Sequence, residues 1–107
     1  MRVMRILVLF DLPTGSASER KSYAEFRKFL LEDGYVMEQF SVYTRVTLNR
    51  NNMETHIARL KEHLPDAGDV TVMTMTEAQY MDRRVLRRSP SVQNNSFDPG
   101  EQLTLSF

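Results

Sequence analysis

Hydrophobic residues fall in blocks whose period changes along the chain. Ile6 to Phe10 is an unbroken apolar run that stops at one carboxylate, Asp11, and reads as a strand buried on both faces. Leu12-Pro13-Thr14-Gly15-Ser16 turns the chain, and Ser16 followed three residues later by Glu19 is a capping-box pattern. A helix should therefore begin just past the turn, from about Ala17 to Asp33, and end at Gly34, a natural C′ residue. Tyr23, Phe26, Phe29 and Leu30 share one arc of that helix, and Arg20, Lys21, Arg27 and Lys28 share the opposite arc. The apolar arc packs on a sheet. The basic arc is either a solvated face with local partners such as Glu25 and Glu32 or a phosphate-binding face.

From Tyr35 to Leu48 the period drops to two, with Phe40, Val42, Val46 and Leu48 on one parity and Gln39, Ser41, Tyr43 and Arg45 on the other. This predicts a long strand whose polar face meets solvent or a partner subunit, which makes Tyr43 a candidate interface residue; Phe40, on the other parity, is taken as a second candidate interface residue. Asn49 to Asn52 is a turn, and Asn51 with Glu54 repeats the capping pattern. Met53, Ile57, Leu60 and Leu64 then give a narrow apolar stripe on a second helix that stops before Pro65. His56 and His63, two turns apart at the edge of the stripe, are weak metal ligands at that spacing and read as surface residues. Asp69 to Met75 is apolar or Thr on both parities, which marks a central strand, and a fourth short strand is expected from Tyr80. Arg83, Arg84, Arg87 and Arg88 follow as a solvated edge or a set of phosphate contacts.

The succession is read as strand, helix, strand, strand, helix, strand, the ferredoxin-like order of an α+β sandwich. The expected sheet is antiparallel overall, with strands one and three parallel in the middle and both helices on one face. Residues 1–88 form that domain. Residues 89–101 have loop composition, and Gln102 to Phe107 alternates again, so 89–107 reads as a tether and a C-terminal strand. Such a strand, carried by Leu103 and Leu105, must add to an exposed edge of its own sheet or of a second copy. The sheet face away from the helices is left bare, a candidate dimer or partner interface.

Composition narrows the chemistry. A chain of 107 residues needs no second domain. The absence of cysteine excludes disulfides and thiolate metal sites and fits a reducing compartment. The N-terminal apolar run is too short for a signal peptide or a membrane span, so the protein is read as cytoplasmic and without a membrane partner. With 14 basic and 14 acidic residues, nucleic-acid binding has to come from clustering and not from bulk charge. No GxxxxGK, GxGxxG, HExxH or nucleophile elbow is present. Asp11 either caps its turn through Pro13 or takes part in a metal site. One acid at a strand end does not hold a catalytic metal alone, but a two-fold axis bringing together two copies of Asp11 would suit Mg²⁺, which takes one or two carboxylates and keeps several waters.

Leu9-Phe-Asp-Leu-Pro-Thr14, Glu19-Arg-Lys-Ser-Tyr23, Phe26-Arg-Lys-Phe-Leu-Leu31, Gly34-Tyr35 and Gln39-Phe-Ser-Val-Tyr43 occur in this order. Together they resemble the CRISPR-associated endoribonuclease family, the smaller of the two CRISPR adaptation proteins, and most of all its type II branch. The similarity runs to about Arg88. It implies a ferredoxin-like homodimer that sits between copies of the larger adaptation protein, the CRISPR integrase, and supports capture of foreign DNA as new spacers. By that resemblance Asp11 is the metal-binding and catalytic aspartate, its two copies facing each other across the dimer with Mg²⁺. Arg20 and Arg27 fall where the resemblance expects basic residues near the acid; the basic pattern itself adds Lys28 of the first helix, with Arg84 and Arg87, as nucleic-acid-binding residues that would grip a backbone. Phe40 matches the aromatic of the second-strand motif, and the final strand fits the part of the family that exchanges terminal strands. Two functions follow: a metal-dependent endonuclease on RNA or DNA, and a non-catalytic scaffold that grips double-stranded DNA.

Overall fold

In the first strand, alternate side chains decide where every other element sits. The computed structural model describes residues 2–90 and forms β1 (Met4–Asp11), α1 (Ala17–Glu32), β2 (Val36–Gln39), β3 (Val42–Thr47), α2 (Arg50–Glu62), β4 (Asp69–Thr76) and the short α3 (Glu77–Met81). Met4, Ile6, Val8 and Phe10 of β1 are buried, while Arg5, Leu7 and Leu9 point to the other face. Phe26 and Leu30 of α1 and Met53 and Leu60 of α2 complete the core over the Met4–Phe10 face, so both of these helices cover the same side. Phe10 lies edge-on to Phe26 at 5.2 Å and stacks on Tyr43 at 5.7 Å. Burying each such side chain stabilises the fold by roughly 1.5–3 kcal/mol.

The sheet order is β2-β3-β1-β4, and every neighbouring pair is antiparallel. Several expectations are corrected. The 35–48 stretch is not one strand: it folds back at Phe40 and Ser41, and Ser41 takes a left-handed φ of 65°. The second and third strands of the expected order both come from it. No parallel pair occupies the middle, because β1 runs against both β3 and β4. β4 is an edge strand among the described residues and not a central one. Tyr80 lies on α3 instead of on a strand, since Thr76 and Gln79 form a capping box that starts a helical turn.

At α1 the expectation holds. Ser16 caps it, with the reciprocal Glu19 bond, and Gly34 follows at φ 93°. The second helix is capped by Asn49 instead of Asn51, and Leu64 at the end of its expected stripe is exposed. His56 is buried, not on the surface, and its Nδ1 meets the Asp33 carboxylate at 2.8 Å. His63 is exposed and its ring stacks on Phe29 at 4.0 Å. No helix among the described residues is long and apolar enough to cross a membrane.

The face away from α1 and α2 is bare only in part. Val46 and Met73 are exposed on it, opposite Arg5 and Leu7 across the ladder. Toward the start of β1, α3 folds over it: Arg5 Nε donates to Glu77 at 2.8 Å, the Tyr80 hydroxyl donates to Glu38, and the Arg5 and Arg83 guanidiniums lie 4.0 and 3.9 Å from the centre of the Tyr80 ring.

Two carboxylates tie these elements together, and both are more acidic than usual. Burial pushes Asp33 up, but hydrogen bonds from His56 and Arg59 outweigh it and bring it down. The Arg5 hydrogen bond lowers Glu77. Each folded value lies below its unfolded one, so each contribution is complete above the ordinary carboxylate range and is lost as pH falls through the folded value. The urea midpoint should therefore drop between about pH 6 and about pH 3. In a variant combining Asp33→Asn and Glu77→Gln, stability is expected to be lower at the upper pH and its acid decline shallower. An equally steep decline would clear these two groups of any part in it.

Candidate active site

The β1–β4 register places two carboxylates side by side. Asp11, the last residue of β1, is exposed and pairs directly with Asp69, the first of β4. Paired residues of an antiparallel ladder share a face, with Cβ atoms about 5 Å apart, and like charges there repel. Both lie on the side of the sheet opposite α1 and α2, in line with Leu7 and Leu9. Among the described residues neither carboxylate has a hydrogen-bond or ion-pair partner, so the expected capping role of Asp11 through Pro13 finds no support in the turn.

The loop before Asp69 is pressed onto the end of β1. Gly68 has φ +92°, and a Cβ on it would lie 2.6 Å from the Asp11 carbonyl oxygen and 2.8 Å from Leu12 Cδ2. Only glycine tolerates both the dihedral and the contact, and the close approach holds Asp69 in register beside Asp11. Sequence reasoning missed Asp69. Its signal is the antiparallel pairing of β1 with β4, which becomes visible only once the sheet order is known.

Arg20 stands over the turn after Asp11, its Nη1 donating to the Thr14 carbonyl at 3.2 Å. Arg27, two turns farther along α1, is half-buried, and Lys28 is exposed. Phe40 is 72% exposed at the tip of the β2–β3 hairpin, stacked on Tyr23 with ring centres 6.3 Å apart. The Phe10 amide donates to the Ser41 carbonyl at 3.1 Å, which ties the hairpin tip to the same end of β1 as Asp11. Tyr43, expected at an interface, is instead buried in the chain's own core at 1% exposure. Its parity faces the helices because it pairs with Val8, and a one-residue slip of parity exchanges the two faces. Arg84 and Arg87 are exposed on the segment after α3. Leu103 and Leu105 lie outside the described residues.

Asp11, Asp69, the Arg20 turn and the Phe40 tip are thus gathered at one end of the sheet, and Arg87, on the segment after α3, borders a groove with Phe40. Among the described residues no three His, Cys, Asp or Glu side chains form a closed metal cage. Two unpartnered carboxylates do offer the hard oxygen donors that Mg²⁺ takes, with room left for waters, a phosphate or a second protein copy. The donor set therefore fits the metal.

Similarity to known proteins is extensive. The family model described as CRISPR associated protein Cas2 matches residues 4–83. The chain is 51% identical over 77 residues to the CRISPR-associated endoribonuclease Cas2 of Streptococcus mutans serotype c, covering 72% of this chain and 71% of that protein. It is 42% identical over 98 residues to the protein of the same name from Acidovorax ebreus, covering 92% and 96%. Against that of Flavobacterium psychrophilum it is 41% identical over 104 residues, covering 97% and 89%.

Proposed function

The chain belongs to the CRISPR associated protein Cas2 family, and from that premise we propose that it is a Mg²⁺-dependent endonuclease acting as a homodimer in CRISPR adaptation. The observation that carries this reading is the exposed, unpartnered Asp11 at the end of β1, beside Asp69. Two Asp11 carboxylates, one from each copy, with Asp69 close by, would hold the ion. When bound, Mg²⁺ polarises a phosphodiester and acidifies water. Arg20 and Arg27 then stabilise charge building on the phosphate. The partly bare sheet face with Val46 and Met73 supplies an apolar surface for a second copy.

Lys28, Arg84 and Arg87 hold duplex DNA through its backbone without reading sequence, and the dimer bridges copies of the CRISPR integrase. The alternative, a scaffold with no nuclease role, draws on the exposure of those three cations, since their grip does not need Asp11. Purified protein incubated with RNA and with duplex DNA in Mg²⁺ separates the two. Cleavage that stops on adding EDTA, with duplex binding retained, is the expected result. Duplex binding with no cleavage under any divalent ion would leave only the scaffold, and its affinity should then fall steeply with salt.

A further inference from the structure

Between the β2–β3 hairpin tip and the segment after α3 runs a groove of about 350 Å³, bordered by Phe40 on one side and by Val85, Arg87 and Arg88 on the other. We propose that this groove is a subsite for one unpaired nucleotide, its base stacked on the free face of Phe40 and its phosphate held by Arg87 and Arg88. The proposal rests on the reading above only in taking nucleic acid as the ligand; it needs neither the metal nor cleavage.

Phe40 is an unusual side chain to leave in water. At 72% exposure it forfeits most of the burial that a phenyl ring normally contributes. It is nonetheless held in place: one face leans on Tyr23 at an interplanar angle of 24°, and Tyr23 is packed edge-on against Phe10 in the core. The Ser41 dihedral and the Phe10–Ser41 hydrogen bond fix the hairpin tip beneath it. An aromatic ring anchored on one face and open on the other is a stacking platform, and every base offers it a matching π-face.

Charge in the groove fits a phosphate. Glu38 is the acid among its lining residues, and it already accepts from the Tyr80 hydroxyl and from Arg83 Nη2 at 3.3 Å. With Glu38 paired to Arg83, Arg87 and Arg88 leave the groove positive. A base inside a duplex is stacked on its neighbours and does not present its face to Phe40, so the platform selects single-stranded or frayed nucleic acid. The volume lies at the lower end of small-ligand pockets, which suits one nucleotide better than a helix.

The chain contains no tryptophan, so Phe40→Trp places a lone indole reporter on the platform. Its emission is followed without divalent metal during titration with a short oligothymidylate, with an abasic strand of equal phosphate count, and with a blunt duplex. Saturable quenching by the oligothymidylate, and little by the abasic strand or the duplex, is the expected result. By anisotropy, Phe40→Ala should weaken single-strand binding roughly 5- to 100-fold and Phe40→Tyr should restore it. Arg87→Ala with Arg88→Ala should weaken normal and abasic strands alike and reduce the salt slope. Equal quenching by normal and abasic strands, or unchanged affinity in Phe40→Ala, overturns the stacking subsite. Quenching by duplex equal to that by single strand overturns the selection for an unpaired base. Failure of metal-dependent cleavage touches none of these outcomes, so the two readings fail separately.

Discussion

Tyr43→Ala is expected to cost this protein about 3–5 kcal/mol of folding stability, the range for removing a large aromatic from a packed core. Tyr43 is 1% exposed, pairs with Val8 on the central strand, and stacks on Phe10, which itself touches Phe26 and Tyr23. Truncation therefore opens a void where both sheet and helix side chains meet. A loss of this size is a large share of the roughly 5–15 kcal/mol that small domains possess. Tyr43→Phe keeps the ring and should stay within about 1.5 kcal/mol of the parent, so it serves as the folded control. Urea unfolding at two protein concentrations checks the assignment. A core role predicts the same loss at both. Unchanged stability of the protomer, with only subunit association weakened, would return Tyr43 to an interface.

That residue also shows where the fold was legible and where it was not. The apolar run ending at Asp11, the Ser16–Glu19 box and the Gly34 stop all act locally, over a turn or less, and the structure keeps each of them. The facing of β3 depends on contacts distant in sequence. Tyr43, Arg45 and Thr47 look polar beside Phe40, Val42 and Val46, yet they point inward, Tyr43 as a core aromatic and Arg45 and Thr47 with their polar groups supported there. Arg45 Nε donates to the Asp33 carbonyl at 2.6 Å, with Gly34 close enough that a Cβ there would lie 3.1 Å from Nε, and the Thr47 hydroxyl donates to the Met4 carbonyl at 3.1 Å. The hairpin turn carries no Gly, Asn or Pro, so nothing in composition announced it; Ser41 takes the left-handed conformation without the usual residue for it. His56 was misplaced for the same reason as Tyr43, since its burial depends on Asp33 at the end of the other helix.

The candidate site divides in the same way. Asp11 stood out because an apolar strand stops on it. Asp69 did not, since its meaning lies in a ladder between strands at opposite ends of the domain. Their pairing bears on stability as well as chemistry. Two carboxylates directly opposed, with no cation among the described residues, work against the sheet. Sites that tolerate such a cost commonly trade stability for function.

Asp11→Asn is accordingly expected to move the two properties in opposite directions. Asparagine keeps the shape of the side chain and the turn after it but removes the charge that would hold a divalent ion. Cleavage that depends on Mg²⁺ should fall by roughly 100-fold or more, the scale of losing one charge-stabilising group from a phosphoryl or acyl transfer site. Folding stability should stay level or rise by a few tenths of a kcal/mol as the Asp11–Asp69 repulsion is relieved, and duplex affinity should be kept, because Lys28, Arg84 and Arg87 are untouched. Single-turnover cleavage, thermal unfolding in EDTA and duplex binding, measured on one preparation, give the three numbers. Asp69→Asn should show the same rise in stability with a smaller loss of cleavage. Cleavage at the full rate in Asp11→Asn would remove this carboxylate from the chemistry, whereas a marked loss of stability would mean that it is a structural cap after all.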